Sequence, residues 1–114
     1  MKKSEINFLI ELDEENIPEK ILWDADEKDP PGPSETKSIS LSLWDQENKN
    51  TMRIDLWSKD MPMDEMKRFY IDCLGGLSQS ILNATGDEYM SEEISTLCDK
   101  LIKHIKAESK NTSG

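Results

Sequence analysis

The chain has 114 residues, with 24 acidic and 14 basic side chains, a formal charge of -10 and a pI near 4.5. That balance repels phosphate backbones and anionic lipid, which excludes an electrostatic nucleic-acid footprint. At this length a single domain with one hydrophobic core, needing neither disulfide nor metal, is the expectation.

Residues 1–36 hold 11 acids against 4 bases, so -7 of the -10 sits at the N-terminal end. A charged end of this kind solvates the chain or meets a basic partner. The opening "MKKSEINFLIELDEEN" has no apolar run of signal-peptide length before its acids, and no stretch approaches transmembrane length. The expectation is therefore a cytoplasmic protein without direct membrane insertion. The two cysteines, Cys73 and Cys98, then read as reduced thiols at apolar helix positions.

"SEINFLIEL" alternates, with Ile6, Phe8, Ile10 and Leu12 on one face and Leu9 among polar residues on the other. "KILWDA" continues the pattern, with Ile21, Trp23 and Ala25 opposite Leu22, and the two strands form a hairpin. Residues 26–36, "DEKDPPGPSET", read as a mobile loop with a turn at Pro31 and Gly32. "KSISLSLWD" and "TMRIDLW" then alternate strictly. Placing Ile39, Leu41 and Leu43 on one face with Met52, Ile54 and Leu56 requires odd positions of the first strand to meet even positions of the second.

Helices follow. Asp60 is the expected cap, Pro62 falls in the first turn, and Asp64 and Glu65 favour the positive helix end. Apolar residues recur at helical spacing from Met66 to Ile81, and Gly86 supplies the stop. A second helix starts between Asp87 and Ser91 and turns Ile94, Leu97, Cys98, Leu101, Ile102 and Ile105 inward. The predicted fold is α+β: a four-stranded antiparallel sheet of two hairpins, covered on one face by two C-terminal helices. It forms one domain over 1–107, with a flexible tail over 108–114.

Gly75 and Gly76 in the middle of the first helix demand an explanation, since each costs about 1 kcal/mol relative to alanine. A phosphate loop would need GxxxxGK[ST] between strand and helix, and a redox dithiol would need CxxC or a helix-start cysteine beside positive charge. Cys73 is mid-helix beside Asp72. Close helix packing is the surviving reading, along a small-residue ridge of Gly76, Ser80 and Ala84 beside Cys73. The ridge would meet the rest of the chain in preference to the same helix of another subunit.

No catalytic, cofactor-binding or metal-binding constellation stands out, and an enzyme is not expected. The lone histidine, His104, lies in the lysine-rich "KLIKHIK", and the acidic clusters lack calcium-loop spacing. The stronger functional signal is an open sheet face bearing Leu9, Leu22, Trp44, Arg53 and Trp57, residue types that anchor protein interfaces.

Three segments carry a family resemblance: the opening "MKKSEINFLIELDEENIPEKI", the strand "ETKSISLSLWD" and the run "TMRIDLWSKDMPMDEMKRFYIDCLGGLSQSILNATGDEYM". Together they resemble the gliding motility protein GldC family of the Bacteroidota. The resemblance implies an accessory role in gliding motility, in organisms where that machinery is tied to type 9 secretion, and it carries over no catalytic residues. It points to an adaptor working by protein binding, with gliding or secretion components as partners. Self-association would run through the sheet face or the first helix. Strands followed by two helices is also the topology of the SecB chaperone, which makes a holdase for exported proteins the alternative.

Overall fold

A computed structural model describes residues 1–112, with side chains through Ser109. The chain forms two compact units, Met1–Met61 and Pro62–Gly114, within which the elements predicted for a single domain are divided into strands and helices.

The first unit opens with β1 (Ile6–Leu12) paired antiparallel to β2 (Pro18–Ala25). Ile6 faces Ala25, Phe8 faces Trp23 and Ile10 faces Ile21, so the predicted apolar faces coincide, while Leu9 meets Leu22 on the opposite face. The turn is built on Asp13, whose Oδ1 accepts the backbone N–H groups of Glu15 (2.8 Å) and Ile17 (3.0 Å). Lys59 Nζ lies 3.2 Å from Asp13 Oδ2, tying this turn to the far end of the unit.

The predicted loop is more ordered than its composition implies. Lys28 Nζ donates to the carbonyls of Pro30 and Gly32, both at 2.6 Å, and stands 5.3 Å from the centre of the Trp23 ring. The loop ends in a short strand, β3 (Ser34–Thr36), that alternation could not reveal because all three residues are polar. β3 occupies the second edge of β2, with Leu22 opposite Glu35.

That placement overturns the four-stranded sheet. With β2 already paired on both sides, the next hairpin forms its own sheet from β4 (Ser38–Asp45) and β5 (Asn50–Trp57). The chain bends at Lys37 between β3 and β4, and the two sheets meet at this corner. Ser58 N–H donates to Lys37 O (2.8 Å) and Lys59 N–H to Pro18 O (3.0 Å). The result is a three-stranded sheet ordered β1-β2-β3 and a two-stranded sheet β4-β5, which removes the strand order on which the SecB analogy rests. Within the second hairpin odd positions meet even ones as predicted: Ile39 faces Leu56, Leu41 faces Ile54 and Leu43 faces Met52.

The second unit is a helical hairpin. α1 (Met63–Thr85) begins at Pro62 without a side-chain cap. Asp60, expected there, instead accepts a 2.7 Å bond from the Ser58 hydroxyl. α1 ends at Gly86, which adopts the left-handed conformation at φ 73 and donates its N–H to Leu82 O. α2 (Glu88–Thr112) starts under an N-terminal cap from Asp87, whose Oδ1 accepts the Met90 N–H at 3.0 Å. The helix runs on through most of the predicted tail; Ser113 and Gly114 lie outside the described residues.

The helices join along a seam that is small and polar at its centre. Ile71, Ser78, Ser91 and Cys98 are buried there. Ser78 Oγ donates to Ser91 O (2.7 Å) and lies 2.8 Å from Ser95 Oγ, and Ser91 Oγ returns a 2.9 Å bond to Ser78 O. These reciprocal bonds satisfy hydroxyls that would otherwise be expensive to bury.

Candidate interaction surface

In the β4-β5 hairpin, directly opposed residues share a face. One face carries Ser38, Ser40, Ser42 and Trp44 against Trp57, Asp55, Arg53 and Thr51. Its centre is a hydrogen-bonded cluster. The Arg53 guanidinium donates to Asp55 Oδ1 (2.8 Å), Ser40 Oγ (2.6 Å) and Ser42 Oγ, and Ser40 Oγ donates to Asp55 Oδ1 at 2.9 Å. The Arg53 hydrogen bond, helped by that of Ser40, holds the Asp55 carboxyl below its ordinary value of 3.8. The cluster therefore stays an ion pair at neutral pH.

The two tryptophans flank this cluster. Trp44 is 66% exposed and Trp57 50%. They stand six positions apart when projected onto β5, or about 20 Å along the hairpin at the usual strand rise. The tryptophans are thus two separate exposed aromatic side chains around a polar centre. The other face of the hairpin is apolar from Ile39 to Leu43 and from Met52 to Leu56, with Asp45 and Asn50 at its turn end, and Leu43 (50%), Met52 (58%) and Ile54 (46%) remain open toward the turn. A hairpin exposing large apolar side chains on both faces has the composition of a protein-binding element.

Leu9 and Leu22, expected on the same surface as the tryptophans, form a cross-strand pair in the other sheet. The five predicted contacts therefore divide into Leu9 with Leu22 and Trp44 with Arg53 and Trp57. The paired glycines also differ from expectation. Neither Gly75 nor Gly76 has a heavy atom within 4 Å of where a Cβ would stand, and both are exposed. Gly75 lies about 40° from Ile71, which marks the seam, and still has open space, whereas at 100° per residue Gly76, Ser80 and Ala84 point about 140° or more away from it. Cys73 lies on the same outward side, half-buried, and Cys98 is the thiol in the seam, its Sγ 3.9 Å from Ile71 O.

Sequence reading missed two features of the helical unit. One is the serine seam, whose only signal was Ser78, Ser91 and Ser95 at helix-compatible spacing among better helix formers. The other is a shallow apolar groove of about 200 Å³ lined by Tyr70, Leu74, Leu101 and Ile105. Lys67 and His104 border it, and both bind Glu108, at 2.8 and 2.7 Å. Among the described residues there is no cluster of histidine, cysteine and acids able to hold a metal, and no helix long and apolar enough to cross a membrane.

A family model described as gliding motility-associated protein GldC-like matches residues 18–107, which takes in four of the five strands, all of α1 and most of α2. The chain belongs to the GldC-like family. Both tryptophans of the hairpin, the Arg53 cluster, the paired glycines and the serine seam fall inside the matched span; β1 lies outside it. No curated protein and no solved structure matches the chain.

Proposed function

We propose that this GldC-like chain is a non-enzymatic cytoplasmic adaptor of gliding motility, acting next to type 9 secretion by binding other proteins. The observation that carries the reading is the β4-β5 hairpin: exposed Trp44 and Trp57 bracket an Arg53–Asp55 cluster whose donors and acceptors are aligned before any partner arrives. An arginine already held by neighbours, as Arg53 is, loses little conformational freedom on binding, and tryptophan has few torsions to lose. Family membership supports the process, and the exposed tryptophans support protein binding as the means.

The test is a Trp44→Ala/Trp57→Ala double variant. It retains the far-UV spectrum and melting temperature of the parent within a few degrees, since both side chains are largely exposed, and loses the native partner of the parent chain. Retention of that partner by the variant contradicts the surface assignment. A holdase for unfolded clients is the second reading, favoured by the open apolar side chains Leu43, Met52 and Ile54. It predicts suppressed aggregation of several unrelated clients, which an adaptor would not show.

A further inference from the structure

β1 is the outer strand of the three-stranded sheet, and no described strand pairs with its second edge. The direction of its backbone groups follows from the bonds at either end. Asp26 N–H donates to Glu5 O, and Asp13 N–H donates to Ile17 O, so odd positions bond toward β2. In an antiparallel ladder the intervening residues then aim their N–H and C=O groups outward. Those residues are Ile6, Phe8, Ile10 and Leu12.

An open edge of this kind is usually blunted by lysine, proline or a bulge in the edge strand itself. Residues 6–12 contain neither lysine nor proline, and the irregularity near Leu12 places its extra residue in β2. The strand also reads the same in either direction. About Leu9, Ile6 matches Leu12, Asn7 matches Glu11 and Phe8 matches Ile10, so apolar meets apolar and polar meets polar.

We propose that two copies of this chain pair antiparallel through β1 about a two-fold axis at Leu9, joining their sheets into one of six strands. Ile6 then bonds to Leu12 of the second copy and Phe8 to Ile10, with Leu9 opposite Leu9 at the axis. This register uses every outward group of the strand. Shifting the axis to Phe8 sets Glu5 against Glu11, and shifting it to Ile10 sets Leu9 against Glu11. Beyond the strand, Lys3 comes opposite Glu15 of the second copy, and Glu5 comes opposite Asp13, whose charge is already paired with Lys59 of its own chain. The side chains to be covered are open in the single chain, Ile6 at 67% and Leu9 at 58%. The dimer is independent of the adaptor reading, since neither hairpin tryptophan lies on β1.

Light scattering on the full chain tests this, with an expected mass of twice 13.1 kDa. Leu9→Lys and Leu9→Glu, which place like charges at the axis, each run at the mass of one chain, and their equimolar mixture returns to the mass of two. Leu9→Cys provides a second readout if a charged variant fails to fold. Opposed residues at a non-hydrogen-bonded site have Cα atoms about 4.5 Å apart, within disulfide range, so mild oxidation yields a covalent dimer that the parent does not. Three results would each overturn the proposal: a parent chain that stays single at all concentrations, a dimer that persists in both charged variants, or an edge filled by an extended segment of a different protein.

Discussion

Gly76 and Gly86 respond to alanine in opposite senses. Gly76 is in the interior of α1 with open space where a methyl would go, so Gly76→Ala stabilises the chain by about 1 kcal/mol in a thermal melt. Gly86 holds φ at 73, where an L residue is strained, so Gly86→Ala destabilises by about 1–2 kcal/mol. Ser78→Ala costs about 1–3 kcal/mol by chemical denaturation, because the buried Ser91 carbonyl loses the Ser78 hydroxyl, while Ser91 Oγ keeps its bond to Ser78 O. Four carboxyls are held below their ordinary values of 3.8 for aspartate and 4.5 for glutamate. Asp13 is held there by the Ile17 N–H, Asp55 by Arg53, Asp60 by Ser58 and Glu108 by Lys67. A lowered folded value means the folded chain binds fewer protons than the unfolded one at moderately acid pH. Their contribution is therefore present above the ordinary values and is lost as pH falls below them through the lowered ones. An NMR titration of Arg53→Gln should show the Asp55 midpoint moving back up while that of Glu108 stays in place.

At the scale of elements, what was legible depended on whether apolar spacing carried the information. Both long hairpins, the odd-to-even parity of the second and both helices were written in alternation or 3.6-residue recurrence, and the structure has them within a few residues of where the pattern places them. β3 had no such signature. Its three polar residues take the second edge of β2, and this one pairing converts a four-stranded sheet into two sheets meeting at a corner. Ser34 stands opposite Trp23, one of the β2 residues whose backbone groups point toward β3, so Ser34→Pro removes a backbone donor of that pairing, lowers the melting temperature and speeds amide exchange at Trp23. The helix seam was equally hidden. Apolar periodicity marks which residues avoid water but not which serines will satisfy one another, and the ridge of Gly76, Ser80 and Ala84 drew attention to the side of α1 that faces away from α2.

For the whole molecule, alternation gave the facing of each candidate residue but not the sheet to which it belongs. Trp44, Arg53 and Trp57 are on one face because strand alternation put them there, whereas Leu9 and Leu22 were joined to them only by the assumption of a continuous sheet. Membership of the GldC-like family ties the chain to gliding motility, and the account adds a binding mechanism centred on one hairpin. The most direct test captures proteins from gliding cells with the parent chain and with Trp44→Ala/Trp57→Ala in parallel, and quantifies what each retains by mass spectrometry. The account predicts one or two native proteins in defined stoichiometry with the parent and their loss from a variant that is still folded. Equal retention by both chains would contradict it.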